Sequence, residues 1–285
     1  MHAGPCPAPC RRLERQNVRD IVVHSPDFRH WQASVRYAAQ LAADTRAGLT
    51  GLYVTAPIPP QAGPPQLAQE ALAYAQDELQ SAMLAGPAFA SWAAGLGVRD
   101  ARWQVALGPA AEALVLAGHW HDLVVLQGNV PPCSIQERPV LELLLSGVAC
   151  ILVPASGYAP GRVARAVVAW DGSPGANRAL HGALPLLATA SAVALLVAAP
   201  TRRGDRPALD PLVHLRTRGV NVTSVETVAE SGEEAGEHLL ASAAEEHADL
   251  LVLGASGCRR PGGCSFGATT RVVLSRGHLP VYLRH

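Results

Sequence analysis

The chain is written twice, and this repeat limits its fold more than any other feature. "HDLVVLQG" (121–128) and "ADLLVLGA" (248–255) share one build: an Asp, four apolar residues and a small-residue break. Before each lies a strand-like run and a helix opening, "WQVALGPAAEALVLAGHW" and "ETVAESGEEAGEHLLASAAEEH". After each comes a helix, a Gly turn and a terminal strand, "LELLLSGVACILVP" and "VVLSRGHLPVYLR". The copies also begin alike, with "RDIVVHS" and "RAVVAW", each followed by a helical pattern. A period this long calls for two structural units. The expected units are 19–154 and 163–285, joined by the Gly/Pro-rich "ASGYAPGR".

Within each unit, short apolar runs alternate with longer helical patterns, which calls for βαβ units and a parallel sheet. Runs such as "AVVAW", "VALLVA" and "LLVLG" are apolar throughout. That pattern suits strands covered by helices on both faces. In the second unit, strands are expected near 164–170, 192–198, 220–228, 249–253 and 280–284, with a loop at 200–207. Pro185 falls inside the first helix of that unit and should kink or end it.

Composition excludes several function classes. The 23 basic residues balance the 23 acidic ones, which gives no reason to expect a nucleic acid or an anionic membrane as partner. Every basic residue is Arg, so a Schiff-base lysine and a phosphate-loop lysine are both excluded. No apolar run reaches the length of a membrane span, and the prolines and cysteines of "MHAGPCPAPCRRLERQ" do not make a signal peptide. A cytoplasmic location is expected. Cys6, Cys10, Cys133, Cys150, Cys258 and Cys264 fit no common zinc spacing and read as free thiols. The 11 histidines form no set, and Ser173 and Ser256 have no base at a recognisable spacing, so no catalytic group is expected.

The segment "GASGCRRPGGCSFGATT" (254–270) carries the ligand chemistry. It is not a dinucleotide fingerprint, because its glycines follow the fourth strand of the unit and are spaced differently. Gly262-x4-Gly267-Ala268-Thr269 has the frame of a Walker loop, but Ala268 stands where that loop needs lysine. What remains is Gly254-x2-Gly257-x9-Gly267 after an apolar strand, with Asp171 closing "AVVAWDGS".

In this pattern the chain resembles a tandem universal stress protein. The layout covers both halves, but only the second carries the ligand motif. The resemblance implies two flavodoxin-like, adenine-nucleotide alpha-hydrolase-like α/β units, each with a five-stranded parallel sheet in the order 3-2-1-4-5. It also implies ATP, or ADP or AMP, with Mg accompanying the nucleotide, and action through binding and assembly with a protein partner. Ligands in such sheets lie beyond the strand carboxyl ends where the order reverses, which sets Asp171 beside the glycine loop.

By the same resemblance, Asp171 meets the base or ribose, the backbone of Ala198 meets adenine, Leu253 packs on the sugar or base, and Gly254, Gly257 and Gly267 admit ribose and phosphate. Asp171 also fits a plain turn in "DGSPG", and Leu253 a plain core residue. Thr269 and Thr270 either meet phosphate or cap the last helix, and Arg259 and Arg260 either supply charge or are solvated. Ala268 replaces the family's Ser or Thr, which favours a nucleotide-free scaffold as the alternative. A weak nucleotide hydrolase ranks third. The first half departs further: Pro26 stands where the family acid belongs, Asp27 comes one place late, and Pro131 and Pro132 interrupt its loop. Its expected role is to complete a pseudo-dimer through antiparallel pairing of 151–153 with 281–283, with a homodimer as a further step.

Overall fold

A computed structural model describes residues 18–55, 65–128, 137–155, 161–199, 210–255, 257–260 and 263–285. The first half runs β1 (Asp20–His24), α1 (Ala33–Thr45), β2 (Gly48–Thr55), α2 (Pro65–Leu84), α3 (Gly86–Gly95), β3 (Ala101–Leu107), α4 (Ala110–Gly118), β4 (Leu123–Gln127), α5 (Glu137–Leu145) and β5 (Cys150–Val153). The second half continues with β6 (Arg165–Trp170), α6 (Pro174–Leu187), β7 (Ala192–Ala198), α7 (Pro211–Thr217), β8 (Val222–Val228), α8 (Gly232–Glu245) and β9 (Leu250–Gly254). It closes with β10 (Gly257–Arg260), β11 (Gly263–Phe266), α9 (Ala268–Arg276) and β12 (Val281–Arg284).

The main sheet has the order β3-β2-β1-β4-β5-β12-β9-β6-β7-β8. Each half therefore shows the 3-2-1-4-5 order, read in opposite directions from the middle. Every pairing within a half of this sheet is parallel. The wholly apolar strands are buried from both sides, and the core divides into two clusters, one on each face of the sheet. One contains α1 and α6 side chains such as Val35, Leu41, Leu180 and Leu186; the other contains Leu114, Leu144, Leu239 and Val273.

β5 and β12 pair antiparallel, with Val281 opposite Leu152, Tyr282 opposite Ile151 and Leu283 opposite Cys150. A pseudo-two-fold axis passes between Ile151 and Tyr282. This contact corrects the expectation of two separate five-stranded sheets, because an antiparallel ladder between the two edges is itself sheet. Each half ends in a short apolar strand, and joining them removes two exposed edges at once.

The repeated Asp of the two motifs has a structural purpose. Asp122 Oδ2 accepts from the N–H groups of Arg19 at 2.8 Å and Asp20 at 3.3 Å. Asp249 Oδ2 accepts from those of Ala164 and Arg165, both at 2.9 Å. Each carboxylate thus ties the entry of the first strand in its half to the entry of the fourth. α6 runs through Pro185 and ends two residues later at Leu187. The missing N–H leaves the His181 carbonyl without its helical donor. The loop at 200–207 and most of the linker lie outside the described residues. Among the described residues no helix is long and apolar enough to cross a membrane.

Candidate functional site

The parallel order reverses between β6 and β9, and the chain opens a cavity of about 250 Å³ at their carboxyl ends. Asp171, Ala198, Leu253, Gly254 and Thr269 all line it. Five of the eight sequence-predicted residues therefore meet in one place. The other three sit around it. Gly267 is the N-cap of α9 and Ala268 its first residue. Gly257 opens β10 and pairs with Phe266, next to Gly267.

The walls are apolar: Leu253 is buried in β9, and Leu196 and Val228 close the sides. Polar groups stand at the mouth. Asp171 is exposed, and one carboxylate oxygen accepts from the Ser173 N–H at 2.9 Å in a tight turn. The turn role and a lining role therefore coexist in the same side chain. Ser173 then caps α6, accepting from the Ala176 N–H at 3.1 Å. Thr269 donates its hydroxyl to the Gly232 carbonyl at 2.8 Å, which neither caps α9 nor leaves that proton for a ligand. Thr270 is buried and also faces the cavity. The first N–H groups of α9 have no intrahelical acceptor, and the positive end of the helix dipole lies there.

Gly254 is required by packing. A Cβ on it would lie 2.3 Å from the Ala176 nitrogen and 2.5 Å from the Gly175 carbonyl carbon. The first turn of α6 presses directly on the end of β9, and this close approach shapes the floor of the cavity. Access for a ribose is at most a second consequence of that glycine.

Two features were not foreseen. Residues 257–260 and 263–266 pair antiparallel, with Arg259 opposite Cys264 and Arg260 opposite Gly263, where an open loop was expected. This pairing explains how the nine-residue spacer keeps Gly257 beside Gly267. The Arg259 and Arg260 side chains lie outside the described residues. The second feature is the wall made by Glu230, Ser231 and Gly232 between β8 and α8. Gly232 has φ +64 there. His238 bridges this wall to the sheet, with Nε2 at 2.7 Å from Glu226 and Nδ1 at 3.5 Å from Glu230. Asp171 and Glu230 make the described lining acidic.

At the corresponding ends of the first half, the described side chains meet one another. Asp27 accepts from the Arg29 N–H at 2.8 Å and meets His30 Nδ1 at 3.2 Å. The Arg29 backbone hydrogen bond holds its carboxyl below the usual range, helped by His30. Phe28 packs edge-on against Tyr53, with centroids 5.1 Å apart. Gln127 occupies the position of Gly254 and is reached by Ser34 Oγ at 3.4 Å. His24 is half-buried, and desolvation pushes its ring below its ordinary value. Pro131 and Pro132 lie outside the described residues.

Residues 163–284 match the family model described as the universal stress protein family. The second half of this chain is a universal stress protein domain. Over its whole length the chain is similar in fold to a universal stress protein from Archaeoglobus fulgidus, at 15% identity and a TM-score of 0.63. That likeness covers 93% of this chain and 95% of the other. It is also similar to a functionally unknown protein from Pseudomonas aeruginosa, at 16% identity and a TM-score of 0.53, over 94% of this chain and 92% of that one. No curated protein matches the sequence. The first half thus shares the universal stress protein fold without a match to the family's sequence pattern.

Proposed function

We propose that this chain is a cytoplasmic stress-response protein that binds ATP, or a related adenine nucleotide, in its C-terminal half. The observation that carries the reading is the cavity at the strand-order reversal, whose apolar walls lead to the free N–H groups of α9. A nucleoside suits about 250 Å³ of apolar-walled space, and phosphates suit a helix N-terminus. In this reading the base lies between Ala198 and the Leu196 and Leu253 side chains. The Asp171 carboxylate accepts from ribose hydroxyls at the mouth. The phosphates run toward Gly257, Gly267 and the N–H of Ala268, and Mg arrives on the phosphates.

In this reading the output is a change of partner or assembly state rather than turnover. A nucleotide-free scaffold is the second reading, favoured by Ala268 and by a Thr269 hydroxyl already committed to Gly232. A weak hydrolase ranks third.

Titration calorimetry with ATP, ADP and AMP tests this. Gly267→Val should abolish binding by placing a branched side chain where the phosphates approach. Asp171→Asn should weaken it by about tenfold, or roughly 1.4 kcal/mol. Unchanged affinity in both variants overturns the site, and no binding by the unaltered chain selects the scaffold.

A further inference from the structure

The two halves together line a second cavity, open to solvent and of about 690 Å³, beside the pseudo-two-fold axis. Its lining comes from both sides: Arg19, His119 and Asp122 from the first half, His181, Tyr282 and Arg284 from the second. It lies below the carboxyl end of α6 and beside the entries of β1, β4 and β5. Nothing in the nucleotide reading uses it.

Chemistry separates this space from a packing defect. Arg284 has a buried Nε with no hydrogen-bond partner. Neither Arg284 nor Arg19 is in an ion pair among the described residues. The one lining carboxylate, Asp122, has an oxygen tied to the N–H groups of Arg19 and Asp20. That nitrogen is packed into the wall, beside the Tyr282 hydroxyl that the same guanidinium meets, so the rest of the guanidinium is what faces the cavity. Gly182 keeps the arginine in position: a Cβ there would lie 2.5 Å from the Tyr282 hydroxyl and 2.8 Å from Arg284 Nη1. The freed His181 carbonyl, four residues before Pro185, adds an acceptor on the same helix.

The pseudo-symmetry supplies an internal control. The corresponding space under α1 is bounded by Tyr37, Ile151 and Val153, all buried. There the chain closes the gap itself. The Gly161 N–H donates to Gln40 Oε1 at 3.0 Å, and Gly161 packs so tightly that a Cβ would lie 2.4 Å from that of Gln40. Under α6 the matching walls are His181, Tyr282 and Arg284, and a cavity remains. Gln40 and Gly161 close together under α1, whereas a cavity remains under α6.

We propose that this inter-half cavity binds a small phosphate ester or pyrophosphate, held by Arg284 from one half and Arg19 from the other. A guanidinium fork matches phosphate oxygens, and the volume admits an organic part with hydroxyl groups. Binding there ties the two halves together across the antiparallel β5–β12 seam.

The test is calorimetric titration of the full chain with inorganic pyrophosphate at low salt. The expected result is one site per chain, weakened at least tenfold by Arg284→Gln and by Arg19→Gln, and retained in Gly267→Val. Arg19 is exposed, so its variant keeps the test readable if Arg284→Gln does not fold. Arg284→Lys should recover part of the affinity. Binding that survives both arginine substitutions overturns the proposal. So does binding lost in Gly267→Val alone, which would assign pyrophosphate to the N-terminus of α9, and so does no binding at all.

Discussion

The two halves follow the same strand order, yet among the described residues their strand ends are built differently: the second half lines a cavity there, and the first sets its own side chains against one another. The contrast begins in the connection from the first strand to the first helix. In the second half three residues separate β6 from α6, and the helix starts hard against β9. Only glycine fits at 254, and a cavity opens beside it. In the first half eight residues, 25–32, separate β1 from α1. That longer connection brings in Phe28, Asp27 and Trp31 and leaves room for Gln127 where Gly254 stands. One strand order therefore accommodates two different strand-end geometries, and the length of one loop and one side chain distinguish them.

The largest expected effect breaks this comparison directly. Gly254→Gln puts the first-half residue into the second half and drives a side chain into the α6 backbone, at a cost of about 3 kcal/mol or more. The reciprocal Gln127→Gly meets no such clash and should cost about 1 kcal/mol, mostly from backbone entropy. Urea unfolding of the pair reads the asymmetry, and equal losses would contradict the packing account. Next come the repeated clamps. Asp249→Ala and Asp122→Ala each leave two backbone N–H groups without their acceptor, for about 1–3 kcal/mol. Asp122 is the more exposed of the two, so its variant should fall at the lower end in the same assay.

Helix capping gives a smaller, signed test. Ser173 caps α6, whereas Gln32, the N-cap of α1, makes no capping bond and has a buried Oε1 without a partner. Ser173→Ala should lower stability by about 1 kcal/mol, and Gln32→Ser should raise it by roughly 0.5–1 kcal/mol. Thermal melts of both variants would show shifts of opposite sign.

The seam between the halves titrates. Burial pushes the Cys150 thiol from 9.0 up to about 12. Because the folded value is raised, its contribution to stability is complete below pH 9 and is lost as pH rises toward 12. At pH 8 the native thiol should resist iodoacetamide and react only on unfolding, as peptide mass mapping would show. Rapid labelling of native Cys150 would mean that the seam opens.

Much of the fold was legible because it rests on repeated patterns. The Asp-plus-four-apolar motif marked β4 and β9, and the apolar edges "CILVP" and "PVYLR" marked the pair that joins at the pseudo-axis. The same pairing was not carried through to its consequence, a continuous sheet. The site was legible as far as its spacing reached: Asp171, Ala198, Leu253, Gly254 and Thr269 meet in one cavity. What the spacing could not supply were contacts between distant segments. Gly254 answers to Ala176, and Thr269 to Gly232; neither partner is near in sequence. Glu230 escaped notice because "AESGEE" reads as an ordinary helix opening, with nothing to mark it as a wall. The pairing of 257–260 with 263–266 was missed because its glycines and arginines carry little strand propensity.

Nucleotide binding by the second half alone is the proposal on which the contrast rests. Native mass spectrometry of the full chain with ATP, ADP or AMP measures this most directly. The account predicts a single nucleotide per chain, lost in Gly267→Val; two nucleotides per chain, or one that survives that substitution, would contradict it.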